Sequence, residues 1–193
     1  MRAKKIFAKT IMLGDSNVGK TSLLVAAVPN SKKNIASMGP DFVTKQMDIG
    51  NKNIVLQLWD TAGQEQFASM GHAYFRGADV CVLVFDLSER KTFDSLDKWF
   101  KTLIDAANPI NPDRFPIVLI GNKSDLPRTV TEEEAKEWCS KHNYCPYFET
   151  QAINSVFVES AFNKVGELAA GKDEHASMDL GMPESLGLAG GAV

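Results

Sequence analysis

The stretch Gly14-Asp15-Ser16-Asn17-Val18-Gly19-Lys20-Thr21 separates an apolar run from a segment with helical spacing. It matches the phosphate-loop pattern G-x-x-x-x-G-K-[ST], in which a strand ends, the backbone turns and a helix begins. Gly14 and Gly19 permit backbone angles that let successive N–H groups surround a polyphosphate, and the positive end of the next helix points at the same anion. An ordinary glycine-containing turn is the alternative. The agreement of strand, spacing, Lys and Thr disfavours it.

The residues of this loop that would contact a nucleotide are adjacent in the sequence. The Lys20 ammonium is predicted to bridge the β- and γ-phosphates, and the Thr21 hydroxyl is predicted to ligate Mg²⁺. The nucleotide-binding residues predicted here are Asp15, Ser16, Asn17, Val18, Gly19, Lys20, Thr21 and Ser22.

Four apolar runs have the pattern of strands and alternate with helical segments, at residues 6–13, 54–59, 80–85 and 117–120. Runs that are apolar on both faces are expected where helices cover both sides of a parallel sheet, so the pattern predicts a three-layer α/β domain. Residues 42–49 alternate apolar and polar side chains, as in an edge strand. We predict that this strand pairs antiparallel with the strand from Ile54, across a turn at residues 50–53.

Two sets of apolar residues recur at steps of three and four and should each form the buried face of a helix. The first set is Phe93, Leu96, Phe100, Leu103 and Ala107. The second set, in the last helix, is Val158, Ala161, Phe162, Val165 and Leu168.

The limits of the domain follow from local signals. Thr131 followed by Glu134 predicts a capping box that starts a helix near Glu132. From Gly171 onward the sequence consists mainly of small, acidic and polar residues with no period, which is typical of a disordered tail. The sequence therefore predicts one domain over residues 1–170 and a disordered tail over residues 171–193.

A second chemical element is the run Asp60-Thr61-Ala62-Gly63-Gln64-Glu65, at the end of the strand 54–59. A carboxylate in that place faces the metal, so Asp60 is predicted to hold Mg²⁺, and the Gly63 N–H to bond a γ-phosphate. Gln64 is the candidate for orienting the attacking water, because its amide offers a donor and an acceptor. Taken alone the run is equally well explained as a polar loop. Because the run lies downstream of a phosphate loop, the explanation as a polar loop is disfavoured.

The run Asn122-Lys123-Ser124-Asp125 follows the strand 117–120, at the sheet edge where open α/β sheets bind ligands. The Asp125 carboxylate can accept hydrogen bonds from N1–H and the exocyclic amine of guanine, two donors that adenine lacks there. Adenine would leave that carboxylate unpaired, so the residue selects guanine. Lys123 could lay its stem over the base, and Asn122 could tie this loop to the phosphate loop. A surface turn would explain the run in isolation.

Composition excludes several other functions. A formal net charge of −3, with both signs interspersed, provides no basic surface for nucleic acid or an anionic membrane. The three cysteines lack the spacing of a zinc site and are predicted to be reduced thiols. The longest apolar run is too short to span a bilayer. We expect a cytoplasmic monomer.

These motifs, in this order, resemble the Ras superfamily over residues 4–170, and the sequence between them resembles the Rab family. The Rab-like stretches are Gly39-Pro40-Asp41-Phe42, Leu56-Gln57-Leu58-Trp59 and Tyr74-Phe75-Arg76-Gly77-Ala78. Residues 41–45 and 146–150 further resemble the late-endosomal and lysosomal Rabs. The resemblance implies a P-loop small GTPase domain with a six-stranded, mostly parallel sheet and helices on both faces. It also implies GTP/GDP and Mg²⁺ as ligands, and an exchange factor, a GTPase-activating protein and effectors as partners.

The resemblance assigns further roles by position. Ser37 occupies the switch I position whose hydroxyl closes onto Mg²⁺ and the γ-phosphate, which is usually a Thr. Phe42, Trp59 and Tyr74 occupy the positions of an aromatic triad that effectors recognise in Rabs. Packing in the core is the alternative for these three side chains.

The sequence departs from the family in three places. The last nucleotide motif, usually Ser-Ala-Lys, reads Gln151-Ala152-Ile153, so Ala152 can still offer its N–H to the guanine O6 but the Lys stem is absent. Switch I is shorter than is usual for Rabs, and residues 30–34 contain no aromatic side chain. No cysteine follows Cys145, so we expect the chain as written to be unprenylated and to have no membrane anchor of its own. Either the chain is truncated or it reaches endosomal or lysosomal membranes through partners.

Three functions are compatible with these motifs. The first is a GTP-hydrolysing switch in vesicle and endosomal trafficking, in which GTP orders the switches and effectors bind. The second is a degenerate Rab-like binding module that cycles nucleotide weakly and acts as a soluble scaffold, which the changes at Gln151 and Ile153 favour. The third, a P-loop kinase or ATPase, is disfavoured because Asp125 selects guanine.

Overall fold

The computed structural model describes residues 4–28, 42–60, 74–151 and 155–179. Within these residues the strands are β1 (Lys4–Leu13), β2 (Phe42–Ile49), β3 (Lys52–Asp60), β4 (Val80–Asp86), β5 (Ile117–Asn122) and β6 (Tyr147–Glu149). The helices are α1 (Lys20–Ala27), α2 (Arg90–Asp94), α3 (Leu96–Ala107), α4 (Glu132–Lys141) and α5 (Ser155–Asp179), with a 3₁₀ turn at Pro112–Arg114.

The strands form one sheet in the order β2-β3-β1-β4-β5-β6, in which β2 is antiparallel to β3 and all other neighbours are parallel. Every residue of β4 is buried, as expected for a central strand covered on both faces. Two apolar clusters lie on opposite faces. One packs α1 and α5 against the sheet, and the other packs α2, α3 and α4. The predicted three-layer α/β fold with a six-stranded sheet is therefore confirmed.

The β2–β3 hairpin has a tighter turn than the sequence suggested. Ile49 pairs with Lys52 and Asp48 pairs with Asn53, so only Gly50 and Asn51 connect the strands. Gly50 has a φ of 59°, in the left-handed region that glycine tolerates best. The antiparallel edge pairing was predicted correctly. The four-residue turn was wrong, because polar residues at the start of β3 continue the ladder.

The two predicted helical faces are both buried. Leu96 and Leu103 are fully buried, while Phe93, Phe100 and Ala107 pack against the same cluster from positions that are partly exposed. The face is divided between α2 and α3 at Ser95, which still donates its N–H to the Lys91 carbonyl at 3.1 Å. In α5 the side chains of Val158, Ala161, Phe162 and Val165 are fully buried, and Leu168 packs beside them.

The capping box of α4 forms as predicted. The Thr131 Oγ1 accepts from the Glu134 N–H at 3.2 Å, and the Glu134 carboxylate accepts from the Thr131 N–H at 2.9 Å. Two N–H groups that the first turn would leave unpaired are thereby satisfied.

Lys45 joins three elements at one point. Its Nζ donates to the Ala27 carbonyl at the end of α1, at 2.8 Å, and lies 2.9 Å from the Glu159 carboxylate of α5. The last turn of α1 contains no basic residue, so Lys45 of β2 supplies the cation that a helix C-terminus favours.

The three cysteines are free and buried. Burial raises the pKa of the Cys81 thiol, which is therefore protonated at neutral pH and a poor nucleophile. Their reduced state in the cell stays a prediction.

Helix α5 continues past the predicted end of the domain. It extends to Asp179, so the predicted boundary at residue 170 falls inside the helix. Residues 180–193 lie outside the described residues, and disorder there stays a prediction. Across the described ranges, none of the helices has both the length and the apolarity needed to cross a membrane.

Two glycines of α5 give a matched test of this extension. Alanine is favoured over glycine inside a helix by about 1 kcal/mol, and a Cβ at Gly171 would meet nothing within 4 Å. A Cβ at Gly166 would lie 2.2 Å from the Met47 Sδ, so that gain should be cancelled or reversed. We expect Gly171→Ala to raise the urea midpoint and Gly166→Ala to leave it unchanged or lower it, measured at one fixed GDP concentration. No gain from Gly171→Ala would place the functional end of the helix before that residue.

Candidate nucleotide-binding site

The predicted site residues that the structure describes meet at one edge of the sheet. The phosphate loop follows β1, Asp60 ends β3, and Asn122 ends β5. Because these strands are parallel, their carboxyl ends lie at the same edge. This is where open α/β sheets bind ligands.

The phosphate loop lies directly against its neighbours. A Cβ on Gly14 would fall 2.0 Å from the Val84 carbonyl oxygen, and one on Gly19 would fall 2.3 Å from the Asn122 Nδ2. Both glycines also have positive φ, 145° and 97°. Asn17 has a φ of 63°, which asparagine tolerates better than most residues. The two glycines are therefore required both for conformation and for space.

Lys20 is directed into the loop. Its Nζ donates to the carbonyl oxygens of Gly14 at 2.9 Å and Asp15 at 2.7 Å, and the residue is buried. The ammonium is thus held at the centre of the backbone turn that would surround a phosphate.

Thr21 and Asp60 come together although they are distant in the sequence. The Thr21 hydroxyl donates to the Asp60 Oδ2 at 2.5 Å. Mg²⁺ is typically held in nucleotide sites by one or two protein oxygens together with phosphate oxygens and water. A hydroxyl and a carboxylate beside the phosphate loop fit that donor set.

Asn122 makes the predicted link between the base motif and the phosphate loop. Its Nδ2 donates to the Val18 carbonyl at 2.9 Å, and its Oδ1 accepts from the Thr150 hydroxyl at 3.1 Å. All three groups are buried. Thr150 also fixes the motif through its carbonyl, which accepts from the Ser124 N–H at 3.1 Å. Asp125 is an exposed residue of this loop, so a base could reach its side chain.

A family model for the Ras family matches residues 9–170. The chain belongs to the Ras family. Similar proteins include GTP-binding protein yptV5 of Volvox carteri, 48% identical over 164 residues that cover 82% of this chain and 80% of that protein. Rab7 of Glycine max is 43% identical over 189 residues, with 94% and 92% covered. Rab-7a of Dictyostelium discoideum is 45% identical over 170 residues, with 86% and 84% covered.

These similarities confirm the resemblance to the late-endosomal Rab branch. As a member of that branch the GTPase binds GTP and GDP with Mg²⁺, hydrolyses GTP and acts as a switch in vesicle trafficking. Its partners include exchange factors, GTPase-activating proteins and effectors. The alternative of a degenerate scaffold is not favoured.

The structure of the GTPase reveals two contacts that sequence reasoning missed. The Trp99 Nε1 of α3 donates to the Asp15 carboxylate at 2.7 Å, and the Lys123 Nζ lies 2.6 Å from the Asp86 carboxylate. Asp86 ends an apolar strand, as Asp60 and Asn122 do, so the same signal would have placed it at this edge. Trp99 gave no comparable signal, because its spacing from Leu96 and Leu103 predicts packing against the core, where it does pack, and does not indicate a contact with Asp15.

The three predicted effector aromatics form one connected group, the aromatic stack, in which Phe42 stacks on Trp59 and Tyr74 meets Trp59 edge to face. The ring centroids of Phe42 and Trp59 are 5.0 Å apart, and those of Trp59 and Tyr74 are 5.3 Å apart. All three residues are partly exposed. Trp59 and Tyr74 also pack against the core cluster on that face. The stack thus has a core side and a solvent side.

Lys9 and Asp60 connect this stack to its surroundings. The Lys9 Nζ lies 4.5 Å from the Trp59 ring centroid and donates to the Tyr74 carbonyl at 2.6 Å. Burial lowers the pKa of Lys9, although Asp79 opposes the shift. The Tyr74 hydroxyl donates to the Asp60 carbonyl at 3.2 Å, which places the stack one hydrogen bond from the predicted metal ligand.

Several predicted residues lie outside the described residues. They are Ser37, Gly63, Gln64 and Ala152, together with Ile153. Their roles stay predictions.

The Asn122 link can be tested directly. Asn122→Ala would leave the Val18 carbonyl and the Thr150 hydroxyl buried without a partner, at about 1–3 kcal/mol. If that cost falls mainly on the nucleotide-bound arrangement, GDP should dissociate about 5- to 150-fold faster. The measurement is displacement of a fluorescent GDP analogue, with Asn163→Ala on the exposed side of α5 as the control. Equal rates in the parent and in Asn122→Ala would contradict a role for this link in retention.

Proposed function

We propose that the GTPase holds its nucleotide with the residues at this sheet edge and cycles between GTP and GDP to control effector binding on endosomal membranes. The observation that carries the proposal is the link from Asn122 to Val18, since it joins a guanine-type motif to a phosphate-type loop. Measurement of the nucleotide that co-purifies with the chain, followed by single-turnover GTP hydrolysis, tests it.

The phosphate half of the site rests on the loop and α1. Residues 15–22 present backbone N–H groups and the Lys20 ammonium to the β- and γ-phosphates, with the start of α1 behind them. Thr21, Asp60 and Ser37 would hold Mg²⁺. When bound, the ion neutralises charge on the phosphates.

The base half rests on the motif after β5. Asp125 accepts from N1–H and the exocyclic amine of guanine, the Lys123 stem lies over the ring, and Ala152 donates its N–H to O6. The exposure of Asp125 and the fixed position of Asn122 support this arrangement.

Base choice should change when Asp125 is replaced. Asp125→Asn substitutes an amide, which can donate where the carboxylate only accepts, so xanthine nucleotides should gain affinity while guanine nucleotides lose it. Competition between GTP and XTP for a fluorescent nucleotide measures the ratio. Asp113→Asn, in the 3₁₀ turn at Pro112–Arg114 away from the site, is the control. A mutant that prefers GTP as strongly as the parent would remove Asp125 from base recognition.

Hydrolysis is assigned to Gln64, which orients the attacking water, while the Gly63 N–H bonds the γ-phosphate. We expect slow intrinsic turnover, because no motif places an arginine at the transferring phosphate and an activating protein would supply one.

Replacement of Gln64 separates binding from chemistry. Gln64→Leu keeps the size of the side chain but removes both hydrogen-bonding groups, so the single-turnover rate should fall at least tenfold while GDP affinity changes little. Hydrolysis is followed by phosphate release from GTP-loaded protein. An unchanged rate would exclude Gln64 from catalysis.

The effector surface is assigned to the aromatic stack of Phe42, Trp59 and Tyr74. Its partial exposure and its hydrogen bond to Asp60 support a surface that responds to the nucleotide. The GTPase is proposed to work as a cytoplasmic monomer that reaches endosomal membranes through protein partners. Similarity to proteins named Rab7 supports the compartment.

A further inference from the structure

The Lys123 side chain is held by a buried carboxylate at the end of β4. Its Nζ lies 2.6 Å from the Asp86 Oδ2, and the Asp86 side chain is only 8% exposed whereas that of Lys123 is 26% exposed. Lys123 has a φ of 62°, so its backbone is also in a conformation that lysine rarely adopts. The ammonium is therefore paired with a buried carboxylate, while about a quarter of the Lys123 side-chain surface stays accessible.

Asp86 is itself held in place by hydrogen bonds with Ser88 and Thr92. Its Oδ1 accepts from the Ser88 N–H at 2.8 Å and from the Ser88 hydroxyl at 2.6 Å, and its own N–H donates to the Thr92 hydroxyl at 2.9 Å. Its backbone pairs with Asn122 across the β4–β5 ladder. Burial raises the pKa of Asp86, but the hydrogen bonds from Lys123 and Ser88 outweigh it and hold the pKa below its ordinary value. The carboxylate is thus charged at neutral pH.

We propose that Asp86 is a positioning residue for the guanine base, which acts by anchoring the Lys123 ammonium so that the Lys123 stem forms a preformed wall of the base pocket. This rests on the proposed base site. A free lysine loses much of its rotamer freedom when a ligand orders it, and that loss weakens binding. With the ammonium already bound to Asp86, the loss occurs on folding and the base meets an ordered surface.

The two carboxylate oxygens of Asp86 have different partners, so one substitution can remove the bond to Lys123 and keep the bonds from Ser88. Oδ1 accepts from Ser88 and holds the local turn, whereas Oδ2 holds Lys123. In Asp86→Asn the amide oxygen can keep both Ser88 bonds, because those donors require an acceptor. The amide NH₂ then faces the ammonium and cannot bind it. The turn should survive while the anchor is lost.

A double-mutant cycle tests the proposal on the full chain loaded with a fluorescent GDP analogue. Asp86→Asn should speed dissociation about tenfold, which is the effect expected when one long side chain must be ordered by the ligand. In a Lys123→Met background the same change should alter the rate less than about twofold, because Asp86 acts through Lys123. Asp94→Asn, whose carboxylate pairs with exposed Arg90, is the control. Multiplicative effects of the two changes, or no effect of Asp86→Asn, would overturn the proposal.

A second test of the proposal uses inosine diphosphate (IDP). It lacks the exocyclic amine that Asp125 is proposed to bind but keeps the ring face. Asp86→Asn should therefore speed GDP and IDP dissociation by the same factor. A change confined to GDP would show that Asp86 acts on the base edge and not through the stem.

If Asp86→Asn fails to fold, a measurement on the unmutated protein still tests the proposal. The ¹⁵N-ammonium signal of Lys123 in the GDP-bound chain should show restricted motion, unlike that of Lys101, which is exposed on α3. Equal mobility of the two ammonium groups would refute the anchor. A parent protein that retains no GDP would instead refute the proposed function, so the two failures are distinguishable.

Discussion

Close contact between the phosphate loop and the ends of β4 and β5 is the constraint on which the site depends. At Gly14 the backbone lies against the Val84 carbonyl, and at Gly19 it lies against the Asn122 side chain, with no room for a Cβ at either position. The loop cannot move without moving the strands that carry Asp86 and Asn122. Interiors packed this closely transmit small displacements, so phosphate and base contacts behave as one unit.

The polar groups that support this contact are buried, and each has a hydrogen-bond partner. The Asn122 amide donates to the Val18 carbonyl and accepts from the Thr150 hydroxyl. The Thr150 carbonyl in turn accepts from the Ser124 N–H in the neighbouring turn. Buried networks of this kind are stable only when every member is satisfied. A single substitution within them should therefore affect nucleotide retention more than its distance from the ligand suggests.

Much of this arrangement could be predicted from local patterns. Apolar runs identified β1, β3, β4 and β5, and the motifs at the carboxyl ends of β1, β3 and β5 identified the predicted site. Long-range contacts were harder, because no local pattern pairs Trp99 with Asp15 or Lys123 with Asp86. The start of β3 was placed too late, since Lys52 and Asn53 are polar and yet continue the ladder. The end of α5 was placed too early, because small and polar residues after Ala170 lower helix propensity without ending the helix.

The contact of Lys45 with Ala27 and Glu159 has a consequence for how the chain can vary. The last turn of α1 and the first half of β2 are held together by side-chain bonds that do not involve the connecting residues 29–41. With both anchor points fixed in this way, lengthening the connection costs only loop-closure entropy, about 0.6 kcal/mol for each doubling. Related chains can therefore differ in the length of this segment while the sheet and α1 keep their positions. A connection as short as this one is compatible with the same scaffold.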